Sequence, residues 1–504
     1  MSFEQERVLV LNGQHLTIED VHAIAHGGVK VKIAGEAKEL LAASRKFVLS
    51  LADSDTPVYG FNRGVGLNKD RVVESARYET YNRNLLYSHA AGVQPYASEA
   101  QVRAVLAARL NTLLVGRTGL DPAIAERYAE FLNLGIHPLV PLRGSVGVGD
   151  ITLLSHVGLA FIGEGEVMFG GKRVPAAEAL AQTGLEPLCL GPKDGLAIVS
   201  SNAVSAGTGA LALYDCERLL ELADLVYALS LEALQGRVAP LDASLHRYRP
   251  YAGQGASAAR IRRFLHDSSL WDKESAALQD PLSFRSASHI HGAALDVLAF
   301  AKDALHTHLN ASDDNPCVIF EEARIVPSAN FEPLTWVLGF ESLAIALSHL
   351  SKSASFRTIR LASPAFTGLS RFLAPDEATI AFGTIQKTFS ALDAEIRHLI
   401  NPSSSDYYAL AGDIEDHGSN APLVVSKVEQ ITDRLLYILA IEAIHAAQAI
   451  DLREAVQLGQ GTRTLYKAIR EVVPFLDKDR CLTDDIEASY TLLRSHSSRL
   501  VGGI

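Results

Sequence analysis

Long apolar segments without helix breakers constrain the fold of this chain most. Two of them, 206–234 and 333–361, are rich in Ala and Leu, which favour helices. In two other segments, apolar residues recur every three or four positions, as on one face of a helix. They are Val102, Val105, Leu106, Leu110, Leu113 and Leu114 in the first, and Val428, Ile431, Leu435, Ile438 and Leu439 in the second. Strand-type alternation is scarce, so we predict a mainly α fold built on a bundle of long helices.

Non-helical segments that carry glycine interrupt these patterns and suggest how the chain is divided. They lie at 59–70, 142–152, 191–202, 279–292, 312–333 and 406–422. A break near residue 200 separates a loop-rich first part from a helix-rich remainder. We therefore expect a loop-rich N-terminal domain over residues 1–200 that carries much of the active site. Residues 201–504 are expected to form the long-helix bundle and a C-terminal helical part. Loops between rigid helices are the usual place for functional groups.

Charge and cysteine content exclude several classes of partner. The chain has 46 Lys and Arg against 58 Asp and Glu, a net charge of −12, which argues against a nucleic-acid-binding surface. Its four cysteines are far apart and form no Cys-x-x-Cys, as expected of reduced thiols in a cytoplasmic protein. The first 25 residues lack a secretory signal pattern, and no run of eighteen apolar residues predicts a membrane span. Apolar residues on several helix faces predict a homo-oligomer.

General catalytic and metal-binding motifs are missing from the sequence. It has no Walker loop, no His-Glu-x-x-His and no nucleophile elbow. His289 with His291, and His306 with His308, are two positions apart and would point to different faces of a helix. We therefore expect no metal site.

Six loop segments carry motifs in a definite order. They are Tyr59–Gly66, Ser88–Gly92, Gln279–Arg285, Asp314–Pro316, Ile414–His417 and Val473–Arg480. Together they resemble the histidine and aromatic amino-acid ammonia-lyase family, from about residue 8 to the C terminus. The resemblance implies a fumarase- and aspartase-like helical bundle and a homotetramer whose active sites combine loops of different subunits. It also implies a small amino-acid or betaine substrate.

The chain departs from that family at its electrophile. The family forms a methylidene-imidazolone by cyclising and dehydrating an internal Ala-Ser-Gly. Here Ser145 is followed by Val146, and Val148-Gly149-Asp150 stands near the place of the tripeptide, in a loop one residue shorter than the family pattern. Ring closure needs a glycine after the serine, and a branched valine hinders it. We therefore expect no methylidene-imidazolone and no other cofactor, with Ser145 as a structural residue.

Three further departures concern segments that support the electrophile in the family. Residues 200–203 read Ser-Ser-Asn-Ala in place of Asn-Gly-Thr-Gln, which leaves Asn202 as a candidate for substrate binding. The tyrosine expected after Gln-Asp-Pro is Leu282, and the Asn-Phe-His-Gly-Glu-Pro segment is shortened to Asn-Phe-Glu-Pro at 330–333. Loss of the electrophile together with its supports predicts altered chemistry. A catalytically inactive paralogue that binds an amino acid is an alternative.

An elimination needs a base and a carboxylate anchor, and candidates for both remain. Tyr59 can act as base if nearby positive charge lowers its pKa from ~10, and is otherwise a packed aromatic residue. The Arg285 guanidinium matches the planar geometry of a carboxylate, although composition alone would make it a surface ion-pair partner. The resemblance adds Gln279 and Asn315 as substrate-binding candidates, with support of the turn as the other role of Asn315.

Two positions point to an imidazole-like ring in the substrate. His89 and Glu415 match positions that hold the imidazole in the histidine branch of the family, although a buried structural His–Glu pair is the alternative. Lys387 stands where the family has an aromatic residue, and its ammonium would favour a ring that develops negative charge. A lysine that extends into water is the alternative for Lys387. We predict catalytic roles for Tyr59, Glu415 and Lys387.

Without an electrophile, the substrate has to bring a better leaving group than ammonia. A quaternary ammonium leaves as neutral trimethylamine without prior activation. We therefore expect a carbon–nitrogen lyase that acts on a histidine-derived betaine. The family that the chain resembles includes a member that releases trimethylamine from ergothioneine, the betaine of 2-thiohistidine, and the resemblance implies the same substrate here. An ordinary histidine or aromatic amino-acid ammonia-lyase, or an aminomutase, is the other enzyme that the sequence allows.

Overall fold

The computed structural model describes residues 7–51, 56–273 and 277–502 and is 61% helical. This confirms the predicted mainly α class. The α-helices are α1 (Ile18–His26), α2 (Gly35–Ser50), α3 (Tyr78–His89), α4 (Glu99–Leu114), α5 (Pro122–Leu134), α6 (Ile151–Phe161), α7 (Ala176–Thr183), α8 (Asp194–Val199), α9 (Ala203–Leu234), α10 (Ala243–Tyr248), α11 (Ala252–Phe264), α12 (Leu282–Arg285), α13 (Ala287–Leu309), α14 (Leu334–Leu361), α15 (Pro364–Thr367), α16 (Gln386–Leu399), α17 (Ala421–Asp451), α18 (Gln460–Val472) and α19 (Leu482–Gly502).

The remaining regular structure is short. Single-turn 3-10 helices lie at Gly66–Asn68, Ser75–Arg77, Ala239–Leu241, Ser269–Trp271, Phe320–Glu322, Arg371–Leu373 and Ala381–Gly383. The strands are β1 (Val8–Leu11), β2 (Lys30–Ile33), β3 (Val93–Tyr96), β4 (His137–Pro138), β5 (Pro141–Arg143), β6 (Glu166–Phe169), β7 (Lys172–Pro175), β8 (Cys317–Ile319) and β9 (Arg324–Val326). β1 and β2 are parallel, whereas β3–β5, β4–β6–β7 and β8–β9 are antiparallel. Each of these sheets has only two or three strands.

The chain divides into two compact units, each built from three segments. The first unit comprises Met1–Tyr214, Ala301–Phe340 and Pro402–Ser426, and the second comprises Asp215–Phe300, Glu341–Asn401 and Lys427–Ile504. This division differs from the predicted domains, 1–200 and 201–504, because two later segments of the chain pack with its N-terminal part. Such long-range contacts leave no local pattern in the sequence.

Helix starts in the first unit follow from local sequence signals. Thr17 and Ser98 begin α1 and α4 with capping boxes, in which each hydroxyl accepts a bond from the backbone nitrogen three residues on. Asp121 caps α5, and Pro122 occupies its first turn, where no backbone N–H is needed. Gly135 ends α5 in the left-handed conformation. These signals place the helix ends, and hence the loops between them.

Helix α4 forms the centre of the first unit. Its residues from Ala104 to Leu114 are buried without interruption, including the charged Arg109. Gly207 of α9 lies against this helix, and a Cβ at Gly207 would be only 2.7 Å from the backbone of Ala104 and Val105. The missing side chain therefore allows the two backbones to approach closely.

Two apolar helical stretches have the length and composition that a membrane span requires. They are Asp194–Leu234 and Leu334–Leu361, and their most apolar windows are 100% and 61% buried within the folded chain. A helix that is apolar on all sides and buried by its own chain is typical of a protein core. The expectation that the chain has no membrane-spanning segment stays a prediction.

Candidate active site

A cavity of about 660 Å³ in the first unit gathers several of the predicted residues. It is formed by loops at helix ends, and its lining includes Tyr59, His89, Val148, Ile151, Asn315, Phe331, Glu332, Glu415, Asp416 and His417. Of the described residues that line it, three are carboxylates and none is Lys or Arg. A cavity with this excess of negative charge favours a positively charged ligand.

Tyr59 lies in this cavity with its hydroxyl fixed by the backbone. The hydroxyl oxygen accepts a 2.7 Å hydrogen bond from the nitrogen of Gly66. Burial raises the pKa of Tyr59, the Gly66 N–H opposes that rise, and the negative charge of Glu415 adds to it. Activation of this tyrosine as a base requires a nearby positive charge, and no Lys or Arg stands among the described residues that line the cavity.

His89 stands at the end of α3 with one ring nitrogen already engaged. Its Nδ1 lies 2.8 Å from the carbonyl oxygen of Leu85 and 3.0 Å from the hydroxyl of Ser88. Because a carbonyl can only accept, Nδ1 carries the proton in this arrangement. In the neutral ring Nε2 is then an acceptor, which suits an N–H group of a substrate ring.

The loop 144–150, where the family places its electrophile, has Val148 in the cavity lining. The Ser145 hydroxyl donates a 2.7 Å hydrogen bond to Asp150 and accepts a 3.1 Å bond from the nitrogen of Gly147. Both bonds hold Ser145 in the turn, and its neighbour Val146 lacks the freedom of glycine. The loop therefore does not fit formation of a methylidene-imidazolone from Ser145.

Asp150 organises the buried side of this loop. Its side chain is fully buried and accepts bonds from Ser145 and from both the nitrogen and the hydroxyl of Ser205, at 2.7 to 3.0 Å. Burial raises the pKa of Asp150 to about 6, and these hydrogen bonds oppose the rise. The predicted electrophile-loop residue is thus a structural carboxylate that holds α6 and α9 to the loop.

Gly147 shows how tightly the loop is packed. Its φ of +81° is left-handed, and a Cβ there would lie 2.4 Å from the Ser419 hydroxyl and 2.5 Å from the nitrogen of Ala421. The backbone of Ser419 also donates a 3.0 Å bond to the carbonyl of Val146. The start of α17 therefore fixes the course of this loop and leaves no space for a side chain at Gly147.

Asn202 connects the same loop to the segment that precedes α14. Its side-chain oxygen accepts a 2.9 Å bond from the nitrogen of Gly149, and its amide nitrogen donates to the carbonyl of Phe331. The side chain is fully buried and is not among the residues that line the cavity. The structure thus gives Asn202 a bridging role, where the sequence predicted contact with the substrate.

The two residues before Asn315 form buried ion pairs. Asp313 pairs with Arg109 at 2.7 Å, and Asp314 pairs with Lys193; all four side chains are at most 2% exposed. The Asn315 side-chain oxygen accepts a 2.9 Å bond from the nitrogen of Ser328. Removing one partner of such a pair typically costs about 3 to 5 kcal/mol, so the turn that carries Asn315 is rigid.

A contact between Glu332 and His417 that the sequence did not predict forms part of the cavity lining. The carboxylate of Glu332 lies 3.1 Å from Nε2 of His417, whose ring is 5.1 Å from that of Tyr407. Both residues belong to segments quoted for the family resemblance or for its departures. Glu332 could have been recognised as a charge retained in the shortened segment, but its partner lies 85 positions away along the chain and carries no signal.

The other predicted residues belong to the second unit. Gln279 and Arg285 line a separate cavity of about 660 Å³, where Arg285 donates a 2.7 Å bond to the side-chain oxygen of Gln279. Arg237 and Arg249 line the same cavity and make it cationic. Lys387 is exposed in the first turn of α16.

The described part of the chain contains no group of three or more His, Cys, Asp or Glu side chains that could hold a metal ion. His291, one of the paired histidines, instead bonds the buried Asp224 at 2.8 Å.

Known proteins are similar to this chain over almost its full length. A family model described as aromatic amino acid lyase matches residues 16–471. Histidine ammonia-lyase of Stigmatella aurantiaca is 38% identical over 491 residues, which are 97% of this chain and 96% of that protein. The solved structure of ergothionase from Treponema denticola, in complex with desmethyl-ergothioneine sulfonic acid, is 48% identical with a TM-score of 0.95 and covers 98% of this chain and 99% of its own. Histidine ammonia-lyase from Trypanosoma cruzi is 29% identical with a TM-score of 0.91, over 99% and 95% of the two chains.

Proposed function

Since this chain belongs to the aromatic amino acid lyase family and is a carbon–nitrogen lyase, we propose that it eliminates trimethylamine from ergothioneine to give thiourocanate. The likeness to the Treponema denticola ergothionase supports this substrate over histidine. The relatives named histidine ammonia-lyase support the wider class of histidine-derived substrates.

The observation that carries the proposal is the bonding of Ser145. Its hydroxyl is hydrogen-bonded to Asp150 and Gly147. The residue that lines the cavity near the expected position of an electrophile is Val148. A free α-amine has nothing to attack at such a loop, and ammonia remains a poor leaving group. The proposed enzyme works without a methylidene-imidazolone because its substrate carries the leaving group.

The proposed reaction balances without a further reactant. A base removes a proton from the β-carbon, and the C–H electron pair becomes the new carbon–carbon double bond. The pair of the Cα–N bond leaves with nitrogen, so that the quaternary ammonium departs as neutral trimethylamine. Tyr59 is the proposed base, because it lies in the cavity with its hydroxyl oriented by Gly66. The fixed charge of the bound substrate favours its phenolate.

The substrate ring is assigned to residues beside that base. His89 presents Nε2 as an acceptor, and Glu415 provides a carboxylate for the second ring N–H. Lys387 is proposed to stabilise the negative charge that a thiolate carries on the ring. Its exposed position at the start of α16 fits contact with a ligand held by another chain.

We propose a homotetramer in which the first cavity of one subunit faces the second cavity of another subunit. The first cavity carries carboxylates, and the second carries Arg237, Arg249 and Arg285, so that they have complementary charges. The substrate carboxylate is assigned to Arg285, with Gln279 and Asn315 as further polar contacts. Exposed apolar side chains on α14, such as Leu338, provide surface for association. A cytoplasmic location is part of the same proposal.

The direct test is a substrate panel with separate detection of the two leaving groups. Purified protein is incubated with ergothioneine, histidine, phenylalanine and tyrosine, and trimethylamine, ammonia and product absorbance are measured. We expect trimethylamine from ergothioneine and very slow or no release of ammonia from the amino acids. Rapid release of ammonia from histidine without trimethylamine from ergothioneine would overturn the proposal.

The Lys387→Met variant should reduce the reaction of ergothioneine more than that of a betaine without ring sulfur.

Two alternatives have distinct outcomes in simple measurements. An ordinary ammonia-lyase or aminomutase would have an intact mass lower by two waters than the encoded chain, because its cofactor forms by cyclisation and dehydration. An inactive amino-acid-binding paralogue would bind members of the panel and turn over none of them.

A further inference from the structure

The trimethylammonium group of a betaine carries charge but no hydrogen-bond donor. Proteins therefore recognise it by negative charge at van der Waals distance and by aromatic faces. The cavity of the first unit offers three carboxylates, Glu332, Glu415 and Asp416, and the aromatic rings of Tyr59 and Phe331. Their positions separate them by role.

Glu415 lies at the end of the cavity occupied by the base. A Cβ at Gly66, whose nitrogen donates to the Tyr59 hydroxyl, would be 4.0 Å from Oε1 of Glu415. The proposed function already assigns this carboxylate to the substrate ring. Asp416 is exposed and is not held in one orientation by any hydrogen bond described for its side chain. Glu332 is partly buried, with 26% of its side chain exposed, and adjoins the aromatic Phe331.

We infer that Glu332 binds the quaternary ammonium of the substrate. The inference rests on the proposed function, since it assigns a group of the proposed substrate to one residue. Glu332 belongs to the segment 330–333, which is two residues shorter than the family pattern. The shortening removes the His-Gly of that pattern and retains its glutamate, which lines the cavity.

Two contacts orient the carboxylate of Glu332 and leave part of its acceptor capacity unused. Oε1 accepts a 3.0 Å bond from the nitrogen of Leu334, and Oε2 lies 3.1 Å from Nε2 of His417. The backbone nitrogen of Glu332 donates to Ala329 at 2.9 Å, and Asn202 holds the neighbouring Phe331 carbonyl. A carboxylate has about four lone-pair sites, so two partners leave capacity for a cation that needs no directed bond.

The reaction itself determines which kinetic constant Glu332 controls. Positive charge on nitrogen decreases as the Cα–N bond breaks, so the attraction to Glu332 is stronger in the bound substrate than in the transition state. An interaction of this kind contributes to substrate binding and does not accelerate the chemical step. The Glu332→Gln variant should therefore raise KM for ergothioneine and leave kcat unchanged or slightly higher.

The experiment uses tetramethylammonium as a probe that requires no turnover. Its dissociation constant is measured by calorimetry on the purified, fully assembled protein, with potassium chloride at equal ionic strength as the blank. The Glu332→Gln variant should bind the probe about tenfold more weakly, as expected for the loss of one close charge. Glu332→Asp keeps the charge and should retain part of the affinity. Glu178→Gln makes the same chemical change on the exposed surface of α7 and should bind like wild type.

The results distinguish this inference from the proposed function. If wild type releases trimethylamine from ergothioneine but Glu332→Gln changes neither KM nor probe affinity by more than about twofold, the inference is wrong and the proposed function stands. If wild type does not turn over ergothioneine and the probe still requires Glu332, the cation site stands and the proposed function falls. A wild-type protein that does not bind the probe overturns the inference. Melting curves of both Glu332 variants establish that any loss of affinity occurs in folded protein.

Discussion

The side-chain oxygen of Asn202 accepts a 2.9 Å hydrogen bond from the backbone nitrogen of Gly149. The other end of the same amide donates to the carbonyl of Phe331, so one side chain ties two cavity-lining segments together. In a family that uses an asparagine nearby to bond its electrophile, this chain uses Asn202 to bond its own backbone. Both ends of the Asn202 amide are therefore engaged by backbone groups of the protein itself.

The Asn202→Ala variant should lose both stability and activity. It leaves the nitrogen of Gly149 and the carbonyl of Phe331 without these partners, at a cost of about 1 to 3 kcal/mol for each buried group. Denaturant unfolding followed by circular dichroism measures the loss. Asn202→Asp keeps an acceptor for Gly149 but places a carboxylate oxygen against the Phe331 carbonyl, so it should also be destabilised. Wild-type stability in both variants would contradict the bridging role.

The Ser145→Ala variant should remain active if the enzyme works without the electrophile. The change removes one donor to Asp150 and one acceptor for Gly147, which costs about 1 kcal/mol of stability for each bond. Release of trimethylamine from ergothioneine should nevertheless stay close to that of wild type. Intact mass should equal the encoded mass in both proteins. Complete loss of turnover in a folded variant would show that Ser145 takes part in the chemistry.

The Tyr59→Phe variant should lose at least about a hundredfold in kcat, since general-base catalysis typically contributes ~10²- to 10⁴-fold. Folding should be little affected, because the ring still packs and only the hydroxyl acceptor of Gly66 is lost. Steady-state kinetics and thermal melting measure the two effects separately. Tyr81→Phe is a suitable control, since it removes a neighbouring hydroxyl that has no assigned role. Near-normal turnover in Tyr59→Phe would refute the assignment of the base.

Arg285→Lys should mainly weaken substrate binding. Lysine retains the charge but loses the planar fork that matches a carboxylate, and also the 2.7 Å bond geometry to Gln279. KM for ergothioneine should rise while kcat changes little. Arg173→Lys, in the exposed β6–β7 hairpin, is the matched control and should behave like wild type. An unchanged KM in Arg285→Lys would remove this arginine from the carboxylate site.

The buried Asp150 should make stability depend on pH in an unusual direction. Burial raises its pKa from the ordinary value of 3.8 to about 6, so between these values the folded state holds a proton that the unfolded state has released. The stability that this residue contributes is greatest below about pH 4 and decreases as pH rises to about 6, by about 3 kcal/mol in total. Asp150→Asn, which does not titrate, should remove this slope, whatever its absolute stability. Urea unfolding at several pH values tests the slope, and identical slopes in both proteins would contradict the assignment.

The fold could be predicted largely from local patterns. The apolar segments 206–234 and 333–361 correspond to α9 (Ala203–Leu234) and α14 (Leu334–Leu361), because burial on several faces leaves a strong signal in composition. The division into units could not be predicted in the same way. It depends on contacts between segments hundreds of positions apart, which local periodicity does not record.

Residues of the candidate site could be predicted where they belong to sequence motifs. They could not be predicted where their role depends on contacts between distant segments. Tyr59, His89, Asn315 and Glu415 come from four different motifs and line one cavity, and their roles stay predictions. The bridging bonds of Asn202 were not foreseen, since one of its partners, Phe331, lies 129 positions away. The roles of Gln279, Arg285 and Lys387 remain predictions, because they require a second chain and the structure describes one.

The packing around Gly147 bears on any redesign that would give this loop the family's Ala-Ser-Gly sequence. Inserting the missing residue to restore an Ala-Ser-Gly sequence would push the loop toward Ser419 and Ala421, where not even one methyl group fits. The start of α17 would have to move in the same step, and the bonds between Ser419, Asn420 and Val146 would break. A side chain added at Gly147 alone is therefore excluded sterically. A laboratory conversion has to redesign residues 144–150 and 419–421 together.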